Sequence, residues 1–142
     1  MPALNFKQQF VPMIVALQKH ITIRGKRKTP IKPGDYLKLY SGQRTKQCQL
    51  IGTAICHNTT PVKIAEDAPY ILLNLTTNPG ERWYKFTESA LEHFYKTDGF
   101  TSYDEMKTFF SNQYGLPFSG DLIEWKNFKA AIHMEHLEFP KP

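Results

Sequence analysis

The sequence predicts an α+β domain, a small mixed β-barrel with two to three helices at its ends. Three observations lead there. Between Ile21 and Phe86 the chain is a series of short runs, alternating or β-branched, separated by proline and glycine turns. Two helical patterns follow back to back after Thr87. Strands and helices do not alternate, so a parallel βαβ sheet is excluded.

The elements follow in order. Phe6, Phe10, Met13, Ile14 and Leu17 recur at helical spacing, with Pro12 suited to the first turn of a well-formed helix. Ile21-Thr22-Ile23 reads as a short strand, Gly25 to Thr29 as a basic loop, and Pro30, Pro33 and Gly34 as a turn. Tyr36 to Tyr40 alternates cleanly, and Cys48 to Cys56 reads as a longer strand. Pro61 to Ile64, Tyr70 to Leu75 and Trp83 to Phe86 are further strands, with a turn at Asn78-Pro79-Gly80 before the last. Thr87 or Ser89 caps a helix holding Ala90, Leu91, Phe94 and Tyr95, and Gly99 closes it. Ser102 to Glu105 is a capping-box pattern opening a helix with Met106, Phe109 and Phe110, which stops at Gly115. Leu122 to Trp125 returns to a strand, and the end of the chain reads as a tail.

A chain of 142 residues fits a single domain, here 1–142 with its core at about 4–126 and an extension at 127–142. Hydrophobic content of 41% and charged content of 22% are those of a soluble globular protein. No apolar run approaches the roughly 18 residues of a membrane span, and the N-terminus lacks a signal-peptide core, so a cytoplasmic protein is expected. Cys48 and Cys56 are expected as buried thiols. They form no CxxC pair, and no His-x-x-x-His spacing accompanies them, so no metal site or cofactor is indicated. His20, His57 and His93 make no ligand or triad spacing.

The formal charge of +5 is uneven. Lys19, Arg24, Lys26, Arg27, Lys28, Lys32, Lys38, Arg44 and Lys46 crowd the first third, where Asp35 is the acidic exception. Such asymmetry suits an anionic partner, RNA or a nucleotide phosphate; it equally suits a solvated basic loop.

Lys19-His20-Ile21-Thr22-Ile23-Arg24 carries the chemistry. Lys19 and Thr22 share a face only where the chain between them is helical or turn-like, whereas Thr22 and Arg24 share a strand face. A helix end feeding a strand can thus aim an amine, a hydroxyl and a guanidinium into one cavity. That suits attack on an acyl carbon or the grip of a nucleotide.

Beyond single motifs, Asn5-Phe6-Lys7, Phe10-Val11-Pro12, Lys19 to Arg24 and Pro33-Gly34-Asp35 together resemble the opening of an ASCH-domain protein. The resemblance continues through Tyr40 to Lys46, Asp98-Gly99-Phe100, Tyr114-Gly115, Pro117 to Gly120 and Leu122 to Trp125, covering residues 4 to about 126 in order. It implies a PUA-like β-barrel, whose relatives bind RNA. Some ASCH proteins are amidohydrolases of N4-acylated cytidines of the N4-acetylcytidine type, and others are ribonucleases. The amidohydrolases use a lysine and a threonine, which fall on Lys19 and Thr22, and a carboxylate before the second helix. That carboxylate is a glutamate in the characterised enzymes; its place is taken here by Asp98, with Glu105 the second choice.

Hydrolysis of an N4-acyl group needs a nucleophile, a group to take its proton and one to protonate the departing amine. Lys19 serves as base only with its pKa lowered from about 10.4 towards about 7–8. Asp98 can hold the lysine or pass a proton to the leaving nitrogen, and Arg24 can bind an oxyanion. A water oriented by Lys19 and Thr22 is the non-covalent variant. Each residue also has a plain reading: a helix-end lysine, a strand threonine, a surface arginine, a helix cap. Tyr40, Arg44 and Lys46 are the further substrate-binding candidates. Two function classes stand: a metal-free amidohydrolase acting on a modified cytosine nucleoside, or an RNA-binding module with or without ribonuclease activity. No membrane partner is expected, and the chain is expected as a monomer or weak dimer.

Overall fold

A computed structural model describes residues 2–66, 71–74 and 83–131. It contains strands β1 (Ala3–Phe6), β2 (Ile21–Gly25), β3 (Tyr36–Ser41), β4 (Gln49–Ile64), β5 (Ile71–Asn74), β6 (Trp83–Lys85) and β7 (Phe118–Ala130). Its helices are α1 (Val11–Val15), α2 (Glu88–Thr97) and α3 (Tyr103–Tyr114). The strands make one seven-stranded mixed sheet, ordered β1-β3-β4-β5-β6, with β7 beside β4 and β2 beside β7. β1 pairs with β3 in parallel; β3–β4, β4–β5 and β5–β6 are antiparallel. The expected α+β class with two to three helices forms, with three α-helices among the described residues. The expected barrel does not close among the described residues. The path ends at β1 and β6, which do not pair with each other among the described residues.

The chain divides into two compact units. The first takes Met1–His20, Ile31–Asn58 and Glu124–Pro142. Leu37, Leu39 and Ser41 alternate inward along β3 and meet Leu4 and Phe6 of β1. Gly52 of β4 is where β7 crosses closest: a Cβ there would lie 2.3 Å from the Lys129 carbonyl and 2.5 Å from the Phe128 ring. Phe6 belongs to β1, so the helical stripe read through it is a coincidence of spacing. A 3-10 turn (Gln8–Phe10) leads into α1, which is five residues long and carries Pro12 in its first turn.

The second unit takes Ile21–Pro30 and Thr59–Ile123. Thr87 caps α2, its hydroxyl accepting from the Ala90 amide at 3.2 Å. Ser102 caps α3 by accepting from the Glu105 amide at 3.0 Å. The Glu105 carboxylate accepts from the Thr101 hydroxyl. Phe110 stacks against Tyr114 and Phe118, tying α3 to the start of β7.

The strands expected at 48–56 and 61–64 are one strand, β4, and the strand expected at 122–125 runs over Phe118–Ala130. The ends of the strand read at 70–75, and the turn at 78–80, lie outside the described residues. Cys56 is buried, but Cys48 is exposed, contrary to expectation, because it closes the polar turn before β4. No helix among the described residues is long and apolar enough to cross a membrane.

Candidate active site

Thr22 lies in β2, 5% exposed, with its side chain on the same strand face as Arg24. The Arg24 Nε–H donates to Thr22 Oγ1 at 3.1 Å. Burial lowers the Arg24 pKa, Tyr114 and Asp98 push it back up, and Arg27 lowers it again. Arg24 therefore sits among one carboxylate, one phenol and a second guanidinium. Its hydrogen bond to the threonine oxygen favours the alkoxide over the hydroxyl, the direction a nucleophile or oxyanion needs. Gly120 of β7 makes room for this arrangement, since a Cβ there would lie 2.3 Å from the Arg24 carbonyl.

Asp98 is placed by the end of α2. Gly99, at φ 98°, donates to Lys96 O at 3.0 Å, and Phe100 donates to Tyr95 O at 2.8 Å. These two bonds are a Schellman motif, with glycine in the left-handed position. Asp98 is the residue just before that reversal and is 2% exposed. A carboxylate at a helix C-terminus faces the negative end of the dipole, so neither helix stability nor solvation explains it. The Arg24 charge acts on it favourably. Glu105, by contrast, is exposed in the first turn of α3, where a carboxylate suits the dipole.

In the first unit Lys19 is 3% exposed. Its ammonium lies 4.9 Å from the centroid of the Phe10 ring and 5.8 Å from that of Phe6, so aromatic faces replace part of its hydration. Phe6 in turn meets Trp125 edge-on at 5.7 Å. The same unit holds Tyr40, half-buried in β3, and Arg44 and Lys46, both exposed on the turn after it. That turn is held by Thr45, whose hydroxyl bonds Gly42 O at 2.6 Å, and by Asn5, which accepts from the Gln43 amide at 2.8 Å.

Sequence reasoning missed three features. Tyr114, whose phenol acts on Arg24, was read only within its helix and the Tyr114-Gly115 part of the resemblance, not as a site residue. Ser41 is 1% exposed and its hydroxyl has no hydrogen-bond partner; the alternation through Leu37 and Leu39 pointed to its burial. A cavity of about 320 Å³ lies in the first unit, lined by Leu17, Lys19, His20 and segment 125–128. Among the described residues no cluster of His, Cys, Asp and Glu is arranged to hold a metal ion.

The mixed seven-stranded sheet with three helices among the described residues defines an α+β protein. The chain is similar in structure to the crystal structure of ASCH from Zymomonas mobilis, with a TM-score of 0.53 and 12% sequence identity over 90% of this chain and 68% of that one. The likeness supports the ASCH-type α+β fold expected from the sequence, without the closed barrel. No family model and no curated protein matches the chain.

Proposed function

We propose that this protein is an amidohydrolase that removes the acyl group from N4-acylated cytosine nucleosides, giving the cytidine and a carboxylic acid. The observation that carries the reading is burial. Lys19, Thr22 and Asp98 are three of the five buried polar or charged residues among those described, and Lys19 and Asp98 are the two charged ones. Buried charge is costly and is retained where chemistry uses it. A conventional helix-end lysine or surface aspartate would be solvated.

Water adds across the amide: hydroxyl joins the acyl carbon, the C–N bond breaks and a proton passes to N4. Thr22, polarised by Arg24, is the nucleophile or the group that orients the water. Lys19, as its free amine, is the base; the proton it takes is carried by the Asp98 carboxylate to the leaving nitrogen, which restores both groups, and Arg24 binds the developing oxyanion.

An ultraviolet assay with N4-acetylcytidine tests this. Conversion to cytidine is expected, falling at least about 100-fold in Lys19→Ala, Thr22→Val and Asp98→Asn, all still folded. No conversion by micromolar enzyme across several acyl groups refutes it.

A second reading, RNA binding, draws on the exposed Lys26, Arg27 and Lys28, which follow Arg24 after Gly25, and on the exposed Arg44 and Lys46. It predicts affinity for RNA that falls steeply with salt, whereas turnover of a neutral nucleoside changes little.

A further inference from the structure

α1 ends in a second Schellman motif. Leu17 donates to Ile14 O at 3.1 Å and Gln18 to Met13 O at 2.8 Å, so Leu17 occupies the left-handed position that glycine usually fills. Its φ is 63°. Leucine there is strained, and the side chain is also 66% exposed. Backbone propensity and hydrophobic burial both argue against this residue. Asn127, at φ 54°, adopts the same left-handed backbone on β7, where asparagine is well tolerated, so the strain is that of Leu17. Of the three non-glycine residues with left-handed backbone among those described, Leu17 and Asn127 both line the first unit's cavity of about 320 Å³. Strain kept at the rim of a cavity points to a ligand.

The lining says which kind. Leu17, Trp125 and Phe128 make apolar walls, while Lys19, His20 and Lys126 bring basic groups and no carboxylate lines it. About 320 Å³ is at the small end of ligand pockets. We propose that this cavity binds a small carboxylate or acyl group with an apolar body, Leu17 gripping the body and Lys126 facing the oxygens. Its source is either free carboxylic acid or, on the amidohydrolase reading, the acyl part of the substrate. The latter assignment rests on that reading.

Free acids test the pocket without catalysis. Acetate, butyrate and benzoate are titrated into the protein while backbone amide shifts of 17–20 and 125–128 are followed by NMR. Saturable shifts confined to these segments are expected, with benzoate bound tightest. Lys126→Glu should weaken benzoate about tenfold or more, and Leu17→Gly by about tenfold without lowering the melting temperature, since glycine suits that backbone. Absence of saturable shifts at about 10 mM benzoate, or equal affinity for acetate and benzoate, overturns the pocket. The two sources separate in the activity assay. If the acyl group of the substrate occupies the cavity, kcat/KM rises from acetyl to benzoyl and Leu17→Gly flattens that rise. Carboxylate binding without turnover of any acylcytidine leaves the pocket standing and refutes the amidohydrolase. Turnover indifferent to acyl size and to Leu17→Gly, with no benzoate binding, does the reverse.

Discussion

Asp98 and Glu105 are seven positions apart, and the environment divides their work. Glu105 bonds the Thr101 hydroxyl in solvent at a helix start. Asp98 is buried at a helix end with the Arg24 charge acting on it. Asp98→Ala should therefore cost more stability than any surface change, on the order of 1–3 kcal/mol, because it leaves a partly buried guanidinium undercompensated. Asp98→Asn, which keeps the volume, should cost less, and urea unfolding of the pair measures the difference. Glu105→Ala should leave turnover within about twofold while Asp98→Asn abolishes it. Thiol chemistry gives a second residue-scale expectation. Burial, and then Asp35, raise the Cys56 thiol above its ordinary pKa, whereas Cys48 is exposed. A thiol reagent at neutral pH should modify one cysteine quickly, and Cys48→Ser should remove that fast phase. Lys19, Thr22 and Asp98 stood out in the sequence by their motif order, and the structure buries all three. Leu17 did not stand out, since a leucine in place of glycine carries no turn signal.

At the scale of elements, what positions the site is a pair of close approaches and a pair of helix ends. Gly120→Ala would put a methyl group against the Arg24 carbonyl and the Phe118 ring. Both neighbours are held by the packing around them, so this variant should lose on the order of 1–3 kcal/mol and shift the Arg24–Thr22 hydrogen bond. Thermal unfolding and the activity of the residual folded protein check the two effects. Thr87→Ala, by contrast, removes only a cap, at about 1 kcal/mol, and should leave kcat unchanged. The caps of α2 and α3 and the stops at Gly99 and Gly115 were readable because each rests on local chemistry. The length of β4 was not. His57 and Asn58 are exposed in the middle of that strand, so its polar stretch reads as a break between two shorter strands. Nor was closure of the barrel, which depends on pairing between distant edges and not on any local pattern.

For the molecule as a whole, pH and salt are the informative variables. Burial, and Asp104 behind it, move the Tyr103 phenol from 10.0 up to about 12. The neutral phenol is the form the fold favours. Its contribution is complete below pH 10.0 and is lost as pH rises from there through about 12. Tyr103→Phe should accordingly flatten the alkaline limb of the stability profile, as measured by urea midpoints from pH 8 to pH 12. The net charge of +5, concentrated in the first third, should show itself as salt-sensitive association with polyanions.

The first unit is assembled from three separated stretches of chain, and its last bond joins the Ala131 amide to Ile51 O at 2.8 Å. On the ribosome, β3 and the first half of β4 emerge long before β7 does. At about 5–20 residues per second, they wait several seconds for the strand that covers them. Nascent chains should thus present an unpaired β4 edge to chaperones until β7 has left the ribosome. Truncation within β7 should convert the protein from folded product to aggregate.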